Sequence, residues 1–158
     1  MERDKDFIYL NTFVWDTAKN EANKIKHHVS FETAVRIFND PCMIMQYDDK
    51  NSTPKEERWK CTGRDLQSGL FQTLTVSMTE RGELKRIFSA RKANKTEVKA
   101  YEENAAELED TMNTIIEEAI KVVCEKGNLQ LEEGKLFVLT ILKASGLNIG
   151  DQYGRKDH

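Results

Sequence analysis

The chain gathers, between Arg58 and Lys92, cationic side chains able to grip the phosphates of a nucleic acid. Residues 58–99 carry ten Lys and Arg against four Asp and Glu, although the formal net charge of the whole chain is −3. Along residues 57–64, Arg58, Lys60, Thr62 and Arg64 alternate with Trp59 and Cys61, so a strand here would present its cations and a hydroxyl on one face. Cations on a β-surface grip RNA phosphates, and Trp59 and Tyr101 offer rings for base stacking. A solvated basic face is the ordinary alternative. In the stretch Lys85-Arg86-Ile87-Phe88-Ser89-Ala90-Arg91-Lys92, regular alternation puts Arg86 with Leu84, Phe88 and Ala90, and Arg91 with Ile87. A guanidinium among apolar neighbours is costly unless it meets a carboxylate or a phosphate. Each arginine is therefore expected either in an internal ion pair, for example with Asp16 or Glu97, or on a bound phosphate. Lys26-His27-His28 supplies imidazoles able to move protons near neutral pH, although a cation at a helix end also simply favours the dipole.

The elements that must position these residues follow from local pattern. Phe7–Trp15 reads as a strand, rich in aromatic and β-branched residues. Asp16 is a good N-cap for a helix over Thr17–Lys26 with Ala18, Ala22 and Ile25 on one face, and Ser30 caps a second helix through Phe31, Ala34, Val35 and Phe38. Pro41 stops that helix. Met43–Gln46 is a possible strand. Glu57–Arg64, Leu70–Thr79 and Leu84–Arg91 then form an antiparallel meander, with turns at Gly69 and at Arg81-Gly82. The last of these is apolar on both faces, as a central strand is.

From Asn94 to Gly127 there is no Gly or Pro, and Tyr101, Ala105, Leu108, Met112, Ile115, Ala119 and Val122 step by four and three. That is the a/d seam of a long helix, with Gly127 as its stop. A final helix over Glu132–Ser145 brings Leu136, Leu139 and Leu142, and Asp151–His158 read as disordered. The expected organisation is a domain over 1–104 and a helical extension over 105–158. The extension carries six Lys and Arg against ten Asp and Glu. Its seam must find a partner: the last helix folded back as a hairpin, a second copy meeting the 105–145 helices in a homodimer, or the basic 58–99 face under an acidic restraint.

The composition, 39% hydrophobic and 32% charged, is that of a soluble globular protein. The N-terminus has no signal-peptide pattern and the longest apolar run, near Leu136–Leu142, is too short to span a bilayer, so a cytoplasmic protein without membrane contact is expected. Cys42, Cys61 and Cys124 lie far apart, which suits reduced thiols and argues against disulfides and metal sites.

Taken together, several segments resemble the BrnT family. They are Phe13-Val14-Trp15-Asp16, Lys19-Asn20, Asn23, Lys26-His27-His28-Val29-Ser30-Phe31, Phe38-Asn39-Asp40-Pro41, Glu57-Arg58-Trp59, Gly63-Arg64, Thr79-Glu80-Arg81-Gly82, Ile87–Ala93, Glu97 and Tyr101-Glu102. They run in order across residues 13–103. The resemblance implies a RelE-like α+β fold: a small antiparallel sheet, two N-terminal helices and a helix after the sheet. It further implies a metal- and cofactor-independent ribonuclease toxin of a bacterial type II toxin–antitoxin operon that stops translation. A DNA-binding antitoxin neutralises such a toxin, so operator DNA is reached only through that partner. Carried over by position, it points to Lys26, His27, Glu57, Arg64 and Arg81 as catalytic. Arg64 and Arg81 would stabilise the phosphate, Glu57 or His27 would transfer protons, and Lys26 would support them. Arg58, Lys60, Arg86, Arg91 and Lys92 would bind RNA. Two departures stand out: His28 occupies a place where the family usually has glycine, and Glu57 and Arg64 fall on opposite faces of a regular strand unless a bulge re-aims one. Residues 105–158 lie outside the resemblance. The rival reading is a catalytically inactive module that binds an antitoxin or self-associates through its C-terminal helices. Direct DNA binding ranks behind both, since the long helix is acidic and no helix-turn-helix spacing is present.

Overall fold

A computed structural model of the chain describes residues 6–67 and 72–145. The chain divides into two units, Met1–Ala106 and Glu107–His158. In the first, six strands form one sheet: β1 (Phe7–Leu10), β2 (Phe13–Asp16), β3 (Ile44–Tyr47), β4 (Trp59–Arg64), β5 (Thr73–Arg81) and β6 (Leu84–Lys92), in the order β1-β2-β6-β5-β4-β3. Helix α1 (Thr17–His27) and the short α2 (Phe31–Ala34) lie between β2 and β3, and a 3-10 turn over Val35–Asn39 continues α2. Helix α3 (Lys95–Gly127) follows β6, and α4 (Leu131–Ala144) follows α3.

The expected small antiparallel sheet is instead a larger mixed one. Phe7–Trp15 is a hairpin rather than a single strand; it turns at Asn11, whose φ of 54° needs no glycine because asparagine tolerates that region. Strand β2 then pairs parallel to β6, Phe13 opposite Lys85 and Val14 opposite Arg86. Hairpin logic finds only neighbours in sequence, and this pairing joins segments separated by two helices and three strands. The meander β4-β5-β6 and the pairing of β3 with β4 are antiparallel. Gly69 and Leu70 lie outside the described residues.

One face of the sheet holds the core. Trp15, Cys61, Leu74, Val76, Met78, Ile87 and Ala90 pack against Val29, Phe31, Ala34, Val35 and Ile37. Ser30 caps α2 by accepting from the Thr33 amide at 3.1 Å. Its residues were expected to bury Phe31, Ala34, Val35 and Phe38 on a 3.6-residue period. The 3-10 continuation tightens the period to three, so Phe31, Ala34 and Ile37 line up inward and Phe38 is left half-buried against Phe13.

Helix α1 is turned over relative to its apolar pattern. Asp16 caps it as expected, accepting from the Lys19 amide at 2.9 Å. Yet Ala18, Ala22 and Ile25 face solvent, Ile25 at 80% exposure, while Asn20 and Asn23 are buried. The polar side chains win because the wall they meet is polar. Asn23 donates to the carbonyls of Val29 and Ala90 at 2.8 and 2.7 Å and accepts from the Ala90 amide at 3.1 Å. It thereby takes the backbone edge of β6 beyond the point where β2 stops pairing. Asn20 accepts from the Phe31 amide at 2.8 Å and donates to Glu32. Helix α1 ends at His27, with His28 left-handed at φ 56°, a conformation that costs a non-glycine residue on the order of 1 kcal/mol.

In the second unit, α3 and α4 form a helical hairpin around Ile116, Ile120 and Val138, with Ala119, Val123, Cys124 and Leu142 beside them. The fold-back is one of the three outcomes expected for the seam; the faces differ. Leu108, Met112, Ile115 and Val122 of the anticipated seam are exposed, as is Leu136 at 69%. Gly134 sets the rotation: a Cβ there would collide with the Cys124 sulfur, so this bare position faces α3 and carries Val138 and Leu142 inward with it. Asp151–His158 and Gly146 lie outside the described residues. Among the described residues, no helix is long and apolar enough to cross a membrane.

Candidate active site

The sheet face opposite the core is built of hydroxyls and cations, and a bulge in β6 creates it. Ser77 pairs with Ser89 but Met78 pairs with Ile87, so Phe88 is the extra residue. Thr75, Ser77 and Thr79 alternate on one face of β5 and stand opposite Arg91, Ser89 and Arg86. Arg86 and Arg91, which regular alternation assigns to opposite faces, therefore share one. Strand β4 adds Lys60 and Thr62 beside Ser77 and Thr75, with Arg64 beside Thr73. Lys92 falls on the other face, opposite Leu74 at the strand end.

Most of these cations meet carboxylates. Lys60 lies 3.2 Å from Asp48, Arg64 3.2 Å from Glu102, and Arg91 binds both oxygens of Glu97 at 2.7 and 2.8 Å. The internal pair anticipated for Arg91 thus forms. Burial alone would raise the Glu97 pKa, but Arg91, the Asn94 amide and the Thr75 hydroxyl stabilise the carboxylate and bring it down to about 2. A folded pKa below the ordinary 4.5 means that this pair stabilises the fold above pH 4.5 and loses its contribution as pH falls towards 2. Glu97→Gln should therefore lower the melting temperature near neutrality and flatten its decline across that window, as a series of thermal melts at different pH would show.

Arg86 is different. Asp16 is occupied in capping α1, and among the described residues Arg86 meets no carboxylate. Its guanidinium lies over the rings of Phe7 and Phe88, at 5.1 and 5.6 Å from their centroids. The Phe88 ring also carries Arg58 at 4.5 Å and Lys19 at 5.6 Å. Three cations around one ring repel one another, and of the three only Arg58 meets a carboxylate among the described residues, Glu56 at 3.0 Å.

The residues expected to be catalytic separate along the sheet. Arg64 pairs with Thr73, eight residues along β5 from Arg81, about 26 Å at strand spacing. The two cannot hold one phosphate. Tyr101, expected to stack on bases, is buried: its hydroxyl donates to Asp40 at 2.8 Å and Arg64 lies over its ring at 5.0 Å. Asp40 also accepts from the Arg64 amide at 2.7 Å, and Gly63 keeps that approach open, since a Cβ there would press on Ile37, Met43 and the Asp40 carboxylate. Lys26 and His27 end α1, which runs along β6 from Lys19 beside Phe88 to Asn23 on Ala90, and so stand towards the Arg91 end.

Glu57 and Arg81 do come together. They line a cleft of about 480 Å³ with Pro54, Lys55, Glu56, Trp59, Thr79 and Glu80. The Thr79 hydroxyl donates to the Glu57 carbonyl at 2.6 Å, fixing the backbone, while the exposed Glu57 carboxylate has no partner among the described residues. Sequence reasoning missed Glu56, which accepts from Arg58 at 3.0 Å and from Arg81 at 2.7 Å. The hydrogen bond from Arg81 is the main cause that lowers its pKa, with Arg58 adding to it against the opposing effect of burial. Glu56 is thus held as an anion between two arginines, while the neighbouring Glu57 carboxylate makes no such pair among the described residues. Among the described residues no three His, Cys, Asp or Glu side chains converge as metal ligands.

Residues 15–97, just over half of the chain, match the family model described as the ribonuclease toxin BrnT of type II toxin–antitoxin systems. The chain belongs to this family. The match begins at Trp15 in β2 and ends at Glu97 in the first turn of α3, so it covers β6 with its bulge and the Glu57–Arg81 cleft. Both α1 and the Glu97 partner of Arg91 also fall within it. Most of α3 and all of α4 lie beyond the BrnT match. No curated protein matches the chain. Membership in BrnT carries with it ribonuclease toxin activity and an antitoxin protein as partner.

Proposed function

We propose that the chain is an endoribonuclease of RelE-like type that cleaves without a metal ion and silences translation, its chemistry centred on the Glu57–Arg81 cleft. Arg86 carries this reading: a half-buried guanidinium flanked by aromatic rings, with no carboxylate among the described residues, on the same face as Lys60, Thr62, Ser77 and Ser89. Arginine presents a fork of donors that fits phosphate oxygens, and the neighbouring rings shield it from water. An extended RNA strand lying along the sheet would meet Arg86, Arg58 and Lys60 at its middle. Arg64, Arg91 and the Lys26-His27 corner would hold it towards the far end.

In the cleft, Glu57 takes the proton of a ribose 2′-OH, whose oxygen attacks the adjacent phosphorus. The P–O5′ bond breaks, the 5′ oxygen takes its proton from the solvent that reaches this rim, and a 2′,3′-cyclic phosphate remains. Arg81 spends one nitrogen on Glu56 and keeps other N–H donors for the charge that builds on the phosphate.

The internal pairing of Lys60, Arg64, Arg81 and Arg91 favours a second reading, a binding module whose cations are structural. Incubating the protein with a long single-stranded RNA in EDTA separates the two. Fragments ending in 2′,3′-cyclic phosphate are expected, and Arg86→Ala should weaken RNA binding by roughly tenfold and reduce its salt dependence. RNA binding with no cleavage would leave the binding module standing.

A further inference from the structure

The α3–α4 hairpin has two unlike sides. At about 100° per residue, with Ile120 and Val138 facing each other, Leu108, Met112, Ile115 and Ala119 of α3 and Phe137 and Ile141 of α4 fall on the same flank. The opposite flank carries Asp110, Glu117 and Lys121 from α3 with Glu132 and Lys135 from α4. Leu108, Met112, Ile115, Phe137 and Ile141 are all exposed, although each is a large apolar side chain. Their open surface is on the order of 500 Å², within the roughly 300–600 Å² range of the largest apolar patch on an ordinary monomer and concentrated on a unit of only two helices. Among the described residues, three hydrophobic side chains are buried between those helices. A pair of helices with so small a core needs a further layer.

We propose that this layer is a second copy of the same hairpin, so that two chains join through a four-helix bundle. Three observations favour a copy over another partner. First, the apolar stripe from Leu108 to Val122 and helix α4, Leu131–Ala144, are both about 21 Å long, so a two-fold axis through the flank lays α3 of one chain on α4 of the other without overhang. Second, residues 107–144 hold eight Asp and Glu against four Lys, and like-charged hairpins meet best where charges are fewest, which is this flank with Lys126 and Glu133 alone at its loop end. Third, two such apolar patches of on the order of 500 Å² each come to roughly 1,000 Å² in total, the lower bound for a specific interface. By the same spacing this flank carries a single cation, Lys126, and a single carboxylate, Glu133, too few to hold RNA or a basic antitoxin segment. The surface lies outside the family match and does not depend on the ribonuclease reading.

Sedimentation equilibrium of the full chain tests this. The expected species has twice the chain mass. Ile115→Glu combined with Phe137→Glu should raise the dimer dissociation constant at least roughly 30-fold, with an unchanged helical circular dichroism signal. Lys121→Glu, on the polar flank, should leave the dimer intact. Should the double glutamate variant lose helix, Met112→Gln with Ile141→Gln offers a milder disruption with the same expected direction. A full chain that remains a single copy overturns the proposal, and so does a dimer that survives both double variants.

Discussion

Replacing Glu57 by glutamine should lower the rate of RNA cleavage on the order of 10²–10⁴-fold, the range a positioned general base ordinarily supplies. The substitution keeps the shape of the side chain and removes only its ability to accept a proton. Its backbone carbonyl still receives the Thr79 hydroxyl, and the exposed carboxylate makes no ion pair among the described residues, so the melting temperature should hardly move. RNA affinity should also stay close to that of the unmodified protein. Glu56→Gln should behave in the opposite way. It unpairs Arg58 and Arg81 and so disturbs stability and RNA binding together. Parallel measurements of single-turnover cleavage, RNA affinity and thermal melting distinguish the two neighbours. A Glu57→Gln protein that cleaves at the unmodified rate would remove Glu57 from the mechanism.

The second large effect is structural. Asn23→Leu should destabilise the protein by about 3 kcal/mol or more, because it strands the amide and carbonyl of Ala90 and the carbonyl of Val29 without partners. The extra apolar side chain does not compensate, since the surface it meets is the polar edge of a strand. For a unit of about 100 residues this amounts to a drop in melting temperature of roughly 10–20 °C. A melting temperature within a few degrees of the unmodified protein would show that water replaces the amide at β6. Activity per folded molecule should fall as well, because α1 carries Lys19 to Phe88.

What the sequence reveals divides along the range of the interactions involved. Caps are local, and Asp16 and Ser30 are legible because each needs only the amide three residues ahead. The same holds for the β4-β5-β6 meander, whose strands are neighbours in sequence. Asn20 and Asn23 look like ordinary helix-surface residues; Asn20 is buried on Phe31 and Glu32 of the next helix, and Asn23 on a strand edge 67 residues away. The parallel pairing of β2 with β6 is equally non-local, which is why a purely antiparallel sheet is the natural but incorrect expectation. In the candidate site, the cationic residue types are plain in the sequence. Their partners are not: Asp48, Glu56 and Glu102 reach Lys60, Arg81 and Arg64 only through the fold. The hairpin of α3 and α4 is foreseeable from length and pattern, while its rotation rests on the single missing Cβ of Gly134.

The extra residue at Phe88 acts as a change of parity. On either side of it β6 obeys the same alternation, but odd and even positions exchange roles, so Arg86 and Arg91 point the same way although they lie five positions apart, an odd number. A strand of the same length without the bulge would send one of these arginines into the core face, beside Ile87 and Val76, where a guanidinium has no partner. Deleting Phe88 itself would instead leave the two arginines four positions apart and both on the hydroxyl face. Direction in this strand is thus set by one residue that stands outside the pairing.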